Sequence, residues 1–70
     1  MQMSVISEHY LARAAECARD AASADLQNVR DRYLRSEAAW QQLAARALKT
    51  DAARALRDAE KASNIAVNDG

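Results

Sequence analysis

His9 and Cys17 are the chain's single imidazole and single thiol, the side chains best suited to hold a transition metal. On a helix their separation amounts to about 12 Å of rise and about 80° of rotation, so they cannot share an ion within one chain. A structural zinc site needs four such ligands, and neither a metal nor a cofactor is expected. His9 reads as a first-turn surface residue and Cys17 as a small hydrophobe on a helix seam. Ser7, Ser23, Ser36 and Ser63 have no histidine at a plausible base position, and the carboxylates are spread along the chain with arginines nearby. The parts for nucleophilic and acid–base catalysis are missing. The single glycine is terminal, which leaves no phosphate-cradling loop. No catalytic residue is assigned, and an enzyme is not expected.

The one polar pattern with a possible ligand is a basic edge: Arg32, Arg35, Gln42, Arg46 and Lys49 recur at helical spacing, interrupted by Ala39. Such an edge could contact the phosphates of a polyanion. It could equally cover the flank of an apolar seam with methylene stems, or pair with Glu16 and Asp20 of another helix. Ten basic and ten acidic residues give a formal net charge of zero, so no global field draws the chain to nucleic acid or to an anionic membrane. The second use is favoured, with nucleic-acid association kept as an alternative.

The elements that must carry these residues are helical. There is no proline, and 50% of the 70 residues are hydrophobic. About half of those are alanine, which removes little area from water. Ala, Arg, Leu, Glu and Gln lose little freedom in a helix. Ser7 is the expected cap of the first helix, with residues 1–6 outside it, and Tyr10, Ala14, Cys17 and Ala21 form its narrow small-residue face. Ser23, Ala24 and Asp25 mark the turn. Leu26, Val29, Tyr33, Ser36, Trp40, Leu43 and Ala47 then alternate at three and four, a heptad seam. Beyond Ala47 the stripe moves by one position, to Leu48, Ala52, Ala55, Ala59, Ala62 and Ala66. Either one long helix continues with a drifting seam, or Thr50 and Asp51 break it and cap a third; one long helix is favoured. The tail from Ser63 should fray.

Folding the first helix back about a turn near Ala24 sets Tyr10 against Trp40, Ala14 against Ser36 and Cys17 against Tyr33. If the first helix begins at Ser7 it reaches only the level of Gln42, so the following turns of the second helix lack a partner. A second copy would cover them. The expected architecture is an all-α antiparallel hairpin with a long second helix, assembling into a dimeric four-helix bundle; a three-helix bundle broken near Thr50 and Asp51 is the alternative. The residues assigned to core or self-association are Tyr10, Ala14, Cys17, Val29, Tyr33, Ser36, Trp40, Leu43, Ala47 and Leu48. Those assigned to possible polyanion binding are Arg32, Arg35, Arg46 and Lys49.

The stretch NVRDRYLRSEAAWQQLAARA resembles short uncharacterised all-helical proteins of alphaproteobacteria. There an N-V-R element, a following R-S-E-A-A-W segment and a nearby Met or Leu recur between a Tyr-containing first helix and an Ala-rich end. The match runs through Asn28, Val29, Arg30, Leu34, Arg35, Ser36, Glu37, Ala38, Ala39 and Trp40, and the resemblance extends from Tyr10 to Ala62. That group has no established activity, so it transfers no catalytic or binding residue. It implies a bacterial cytosolic origin and a small helical fold. The expected role is a non-enzymatic interaction or regulatory module, cytoplasmic and not membrane-bound. An inhibitor docking on a protein partner through its aromatic stripe is a further alternative.

Overall fold

The computed structural model describes residues 3–68, with side chains described for residues 3–63. The fold consists of α1 (Val5–Ser23) and α2 (Gln27–Asn68), packed antiparallel as a hairpin, with no strand among the described residues. Met1, Gln2, Asp69 and Gly70, expected to fray, lie outside the described residues.

Helix α1 begins one turn earlier than its sequence suggests. Ser4, not Ser7, is the cap: its backbone is extended (φ −68°, ψ 162°) and its Oγ accepts the Ser7 N–H at 3.1 Å. The Glu8 N–H then bonds the Ser4 carbonyl at 3.0 Å, and Glu8 places a carboxylate at the positive end of the helix. Both serines satisfy the local rule for a cap. Ser4 prevails because the earlier start carries α1 to a carboxylate on α2.

At the other end, Ala24 leaves the helix with φ −74° and ψ 130°, and the connection spans residues 24–26. No residue among those described needs a positive φ, which explains how a turn without glycine or proline is made at the expected place. Ser23 Oγ donates to the Arg19 carbonyl at 2.9 Å. The Arg30 guanidinium reaches back from the first turn of α2 to the Ala24 carbonyl at 3.1 Å.

The expected alternative of a third helix is overturned, since α2 runs unbroken through Thr50 and Asp51. Thr50 Oγ1 donates to the Arg46 carbonyl one turn back, at 3.2 Å, a bond that a helix interior permits. Asp51 spends its carboxylate on α1 instead of capping its own chain. Helix α2 also continues past Ser63, where fraying was expected, to Asn68; adding residues to an existing Ala-rich helix costs far less than nucleating one.

The two helices meet through small side chains. Ala14, Cys17 and Ala21 of α1 and Ala44 of α2 are buried, and the largest side chain with essentially no exposure is that of Ser7. Past Trp40 the seam steps to Ala44, 1% exposed, while Leu43 turns outward at 37%. A straight helix of 3.6 residues per turn drifts against a seven-residue repeat, so the heptad reading places this one position wrongly. Helix α1 starts beside Asp51, and the remainder of α2 projects beyond that point. The molecule is a rod of 66 × 13 × 12 Å with a radius of gyration of 18.4 Å, against about 11 Å for a compact domain of this length.

Replacing Ser4 by Ala should cost about 1 to 2 kcal/mol of stability in urea unfolding. Ser23→Ala, at an exposed site, should stay within about 0.5 kcal/mol. Equal effects would return the cap to Ser7.

Candidate functional site: the open end of the hairpin

Two clusters close the hairpin at the end away from its turn. The first is polar. Asp51 Oδ2 accepts the Ser7 hydroxyl at 2.6 Å and the Ser4 backbone N–H at 3.1 Å. Ser4 Oγ donates in turn to Ser7 Oγ at 3.1 Å while accepting the Ser7 N–H. One carboxylate of α2 thus terminates a ring of bonds that satisfies the first turn of α1, and it sits where the helix dipole favours negative charge. Ser7 is fully buried, and Asp51 retains 9% of its exposure. The Ser7 hydroxyl first, then the Ser4 N–H, hold the Asp51 carboxyl below its ordinary value of 3.8; burial opposes them and Arg54 adds to them.

The second cluster is aromatic. Trp40 takes Tyr10 at a ring separation of 5.8 Å and His9 edge-on at 5.9 Å. The Arg13 guanidinium lies 5.3 Å from the Trp40 ring, within cation–π range, and Arg13 also pairs with Glu16 at 3.2 Å. Trp40 and Tyr10 are half-buried. His9, expected on the first-turn surface, is exposed and spends its ring on Trp40.

Between these clusters lies an open groove of about 300 Å³, floored by Ile6, Tyr10, Leu43 and Ala47 and edged by Arg46 and Arg54. It has the chemistry to receive an apolar side chain beside an acidic one. No cluster of three metal-capable side chains occurs among the described residues.

Among the residues assigned to core or self-association, Ala14 and Cys17 are buried against α2, and Tyr10, Val29, Tyr33, Ser36, Trp40, Ala47 and Leu48 are partly covered. Leu43 lines the groove. The basic edge does not converge: Arg32, Arg35, Arg46 and Lys49 are all exposed, strung along about 26 Å of the outer side of α2. The latch residues Ser4, Ser7 and Asp51 were not singled out as a site in the sequence. The available signal was an aspartate at a seam position one turn beyond Ala47.

Comparison with family models, curated proteins and solved structures finds no match in any of the three. Among the described residues, no helix is long and apolar enough to cross a membrane.

The depressed carboxyl of Asp51 gives a signed pH dependence. A group whose acidity rises on folding contributes stability that is complete above its unfolded value, near 3.8, and is lost as pH falls through the lower folded value. The stability difference between wild type and Asp51→Asn should therefore be constant above about pH 5 and shrink only at more acidic pH. A difference that vanishes near neutrality would mean that the latch does not form. Trp40→Ala should cost about 2 kcal/mol, below the 3 to 5 of a fully buried ring, as read by thermal or urea unfolding.

Proposed function

We propose that this chain is a non-enzymatic helical module that works by self-association: a dimer bringing four helices together, serving as an interaction or regulatory adaptor in the bacterial cytoplasm. The observation that carries the reading is uncovered surface. The chain exposes 5581 Å², whereas a compact monomer of this length exposes about 4300 Å². The excess is roughly 1200 Å² per chain, and two chains burying it would form an interface of roughly 2400 Å², within the range of obligate homodimers.

The identity of the exposed side chains agrees. Val5, Ile6, Leu26 and Leu56 are each at least 60% exposed, while the intrachain core is limited to small residues. Such a chain cannot offset its conformational entropy through one thin seam, and a second copy is the remedy that needs no disulfide or metal. Bacterial origin and cytoplasmic location belong to this reading through the resemblance of residues 10–62 and carry no independent weight.

Sedimentation equilibrium on wild type across a wide dilution series tests it. The expected result is a dimer mass that falls to monomer on dilution, accompanied by loss of helical circular dichroism. A monomer that keeps its full helicity at every concentration would overturn the proposal.

A further inference from the structure

Because α2 runs unbroken through Thr50 and Asp51, cations on both sides of that point share one helix face. At about 100° per residue, Arg32, Arg35, Arg46, Arg54, Arg57 and Lys61 lie within a sector of about 100°, centred about 110° round α2 from the seam through Trp40, Ala44 and Asp51. All six are exposed, and they extend along about 44 Å of the helix. Lys49, grouped with the basic edge by sequence, falls about 40° outside the sector; Arg54, Arg57 and Lys61 take its place.

No acid of residues 27–63 shares that sector. Asp31 and Asp58, one turn from Arg35 and Arg54, lie about 40° outside it, and Asp31 is bonded to Gln27 instead, at 2.8 Å. Glu60 lies about 20° beyond the edge set by Arg35, but about 37 Å from that residue along α2. None of the six cations forms an ion pair among the described residues, where Arg13 and Glu16 make the one pair. Acids on the far side of the helix are about 10 Å away, a Debye length at moderate salt. A net charge of zero therefore does not cancel the field over this face.

The make-up of the stripe selects its ligand. A linear polyanion needs a row of cations, not their convergence on a point. The other side chains of the sector are Ser36, Ala39, Leu43, Thr50 and Ala53. With no aromatic ring to stack on unpaired bases and a single large apolar residue to enter lipid, the face offers phosphate contacts alone. Five of the six cations are arginine, whose planar fork matches phosphate oxygens. We infer that the outer face of α2 binds double-stranded DNA through its phosphates, without reading its sequence. A helix about 10 to 12 Å across fits the major groove of B-form DNA, about 12 Å wide, whereas the narrow major groove of A-form RNA excludes it. This function goes beyond self-association and does not depend on it.

Fluorescence anisotropy with the full chain and a labelled mixed-sequence DNA duplex of about 20 base pairs, in salt from about 50 to 200 mM, tests it. Wild type should bind, with log K falling against log salt at a slope between about −3.6 and −5.4, as four to six phosphate contacts give. Arg54→Gln combined with Arg57→Gln should weaken binding about tenfold and flatten the slope by about 2. Arg19→Gln, at an exposed arginine of α1, should stay within about twofold of wild type. Circular dichroism checks that every variant folds. A wild type that does not bind at the lowest salt overturns the proposal. So does a double variant that binds like wild type, or an Arg19→Gln that loses as much as the pair. Equal affinity for duplex RNA, polyglutamate or phosphatidylglycerol vesicles would make the stripe an unselective polyanion face and overturn the assignment to DNA. Sedimentation reads self-association separately, so either proposal can fail without the other.

Discussion

The structure depends on how little separates its two helices. The buried seam consists of Ala14, Cys17 and Ala21 on α1 and Ala44 on α2; side chains this small allow close approach of the helices, but methyl groups and one thiol remove little apolar area from water. A seam of this kind is also permissive about register, because one alanine resembles the next. Something other than the hydrophobic effect must decide where α1 stops along α2, and the open end of the hairpin supplies it.

The Asp51 carboxylate is the deciding group. Placed at a seam position, it would be costly to bury unpaired; bonded to the Ser7 hydroxyl and the Ser4 N–H, it becomes the acceptor that a helix N-terminus requires. A slip of α1 by one turn would strand both the carboxylate and the free N–H groups, so the latch selects one alignment, as single buried polar groups do in coiled coils. Trp40 makes a second selection beside it, since only one alignment sets Tyr10, His9 and Arg13 around its ring. The latch also divides α2. Before Asp51 the helix has an intrachain partner; after it, α1 has run out, and of residues 52–63 only Ala55 is even partly covered.

Much of this was legible in the residues. Alternation from Leu26 to Ala47 identifies a long second helix, and the capping cluster at Ser23 to Asp25 locates the turn. Antiparallel arithmetic places Tyr10 on Trp40. The readings that differ share a cause: local rules were applied where a tertiary contact decides. Ser4 and Ser7 are equally good caps in isolation, and only the approach of Asp51 separates them. Asp51 itself looks like the start of a third helix because aspartate usually caps its own chain; here it caps the neighbouring one. Leu43 and Ala44 exchange places because a strict heptad overlooks the drift of a straight helix. The basic residues Arg32, Arg35, Arg46 and Lys49 share an outer edge without converging on any site, which periodicity alone does not distinguish from a phosphate-binding face.

The central claim is that the distal half of α2 is completed by another chain. Amide hydrogen exchange across residues 52–62, followed at high and at low protein concentration, tests it most directly. Covered helices exchange only through opening, so protection there should rise steeply with concentration and approach that of α1. Protection that is weak and independent of concentration, alongside a stably protected α1, would contradict the account.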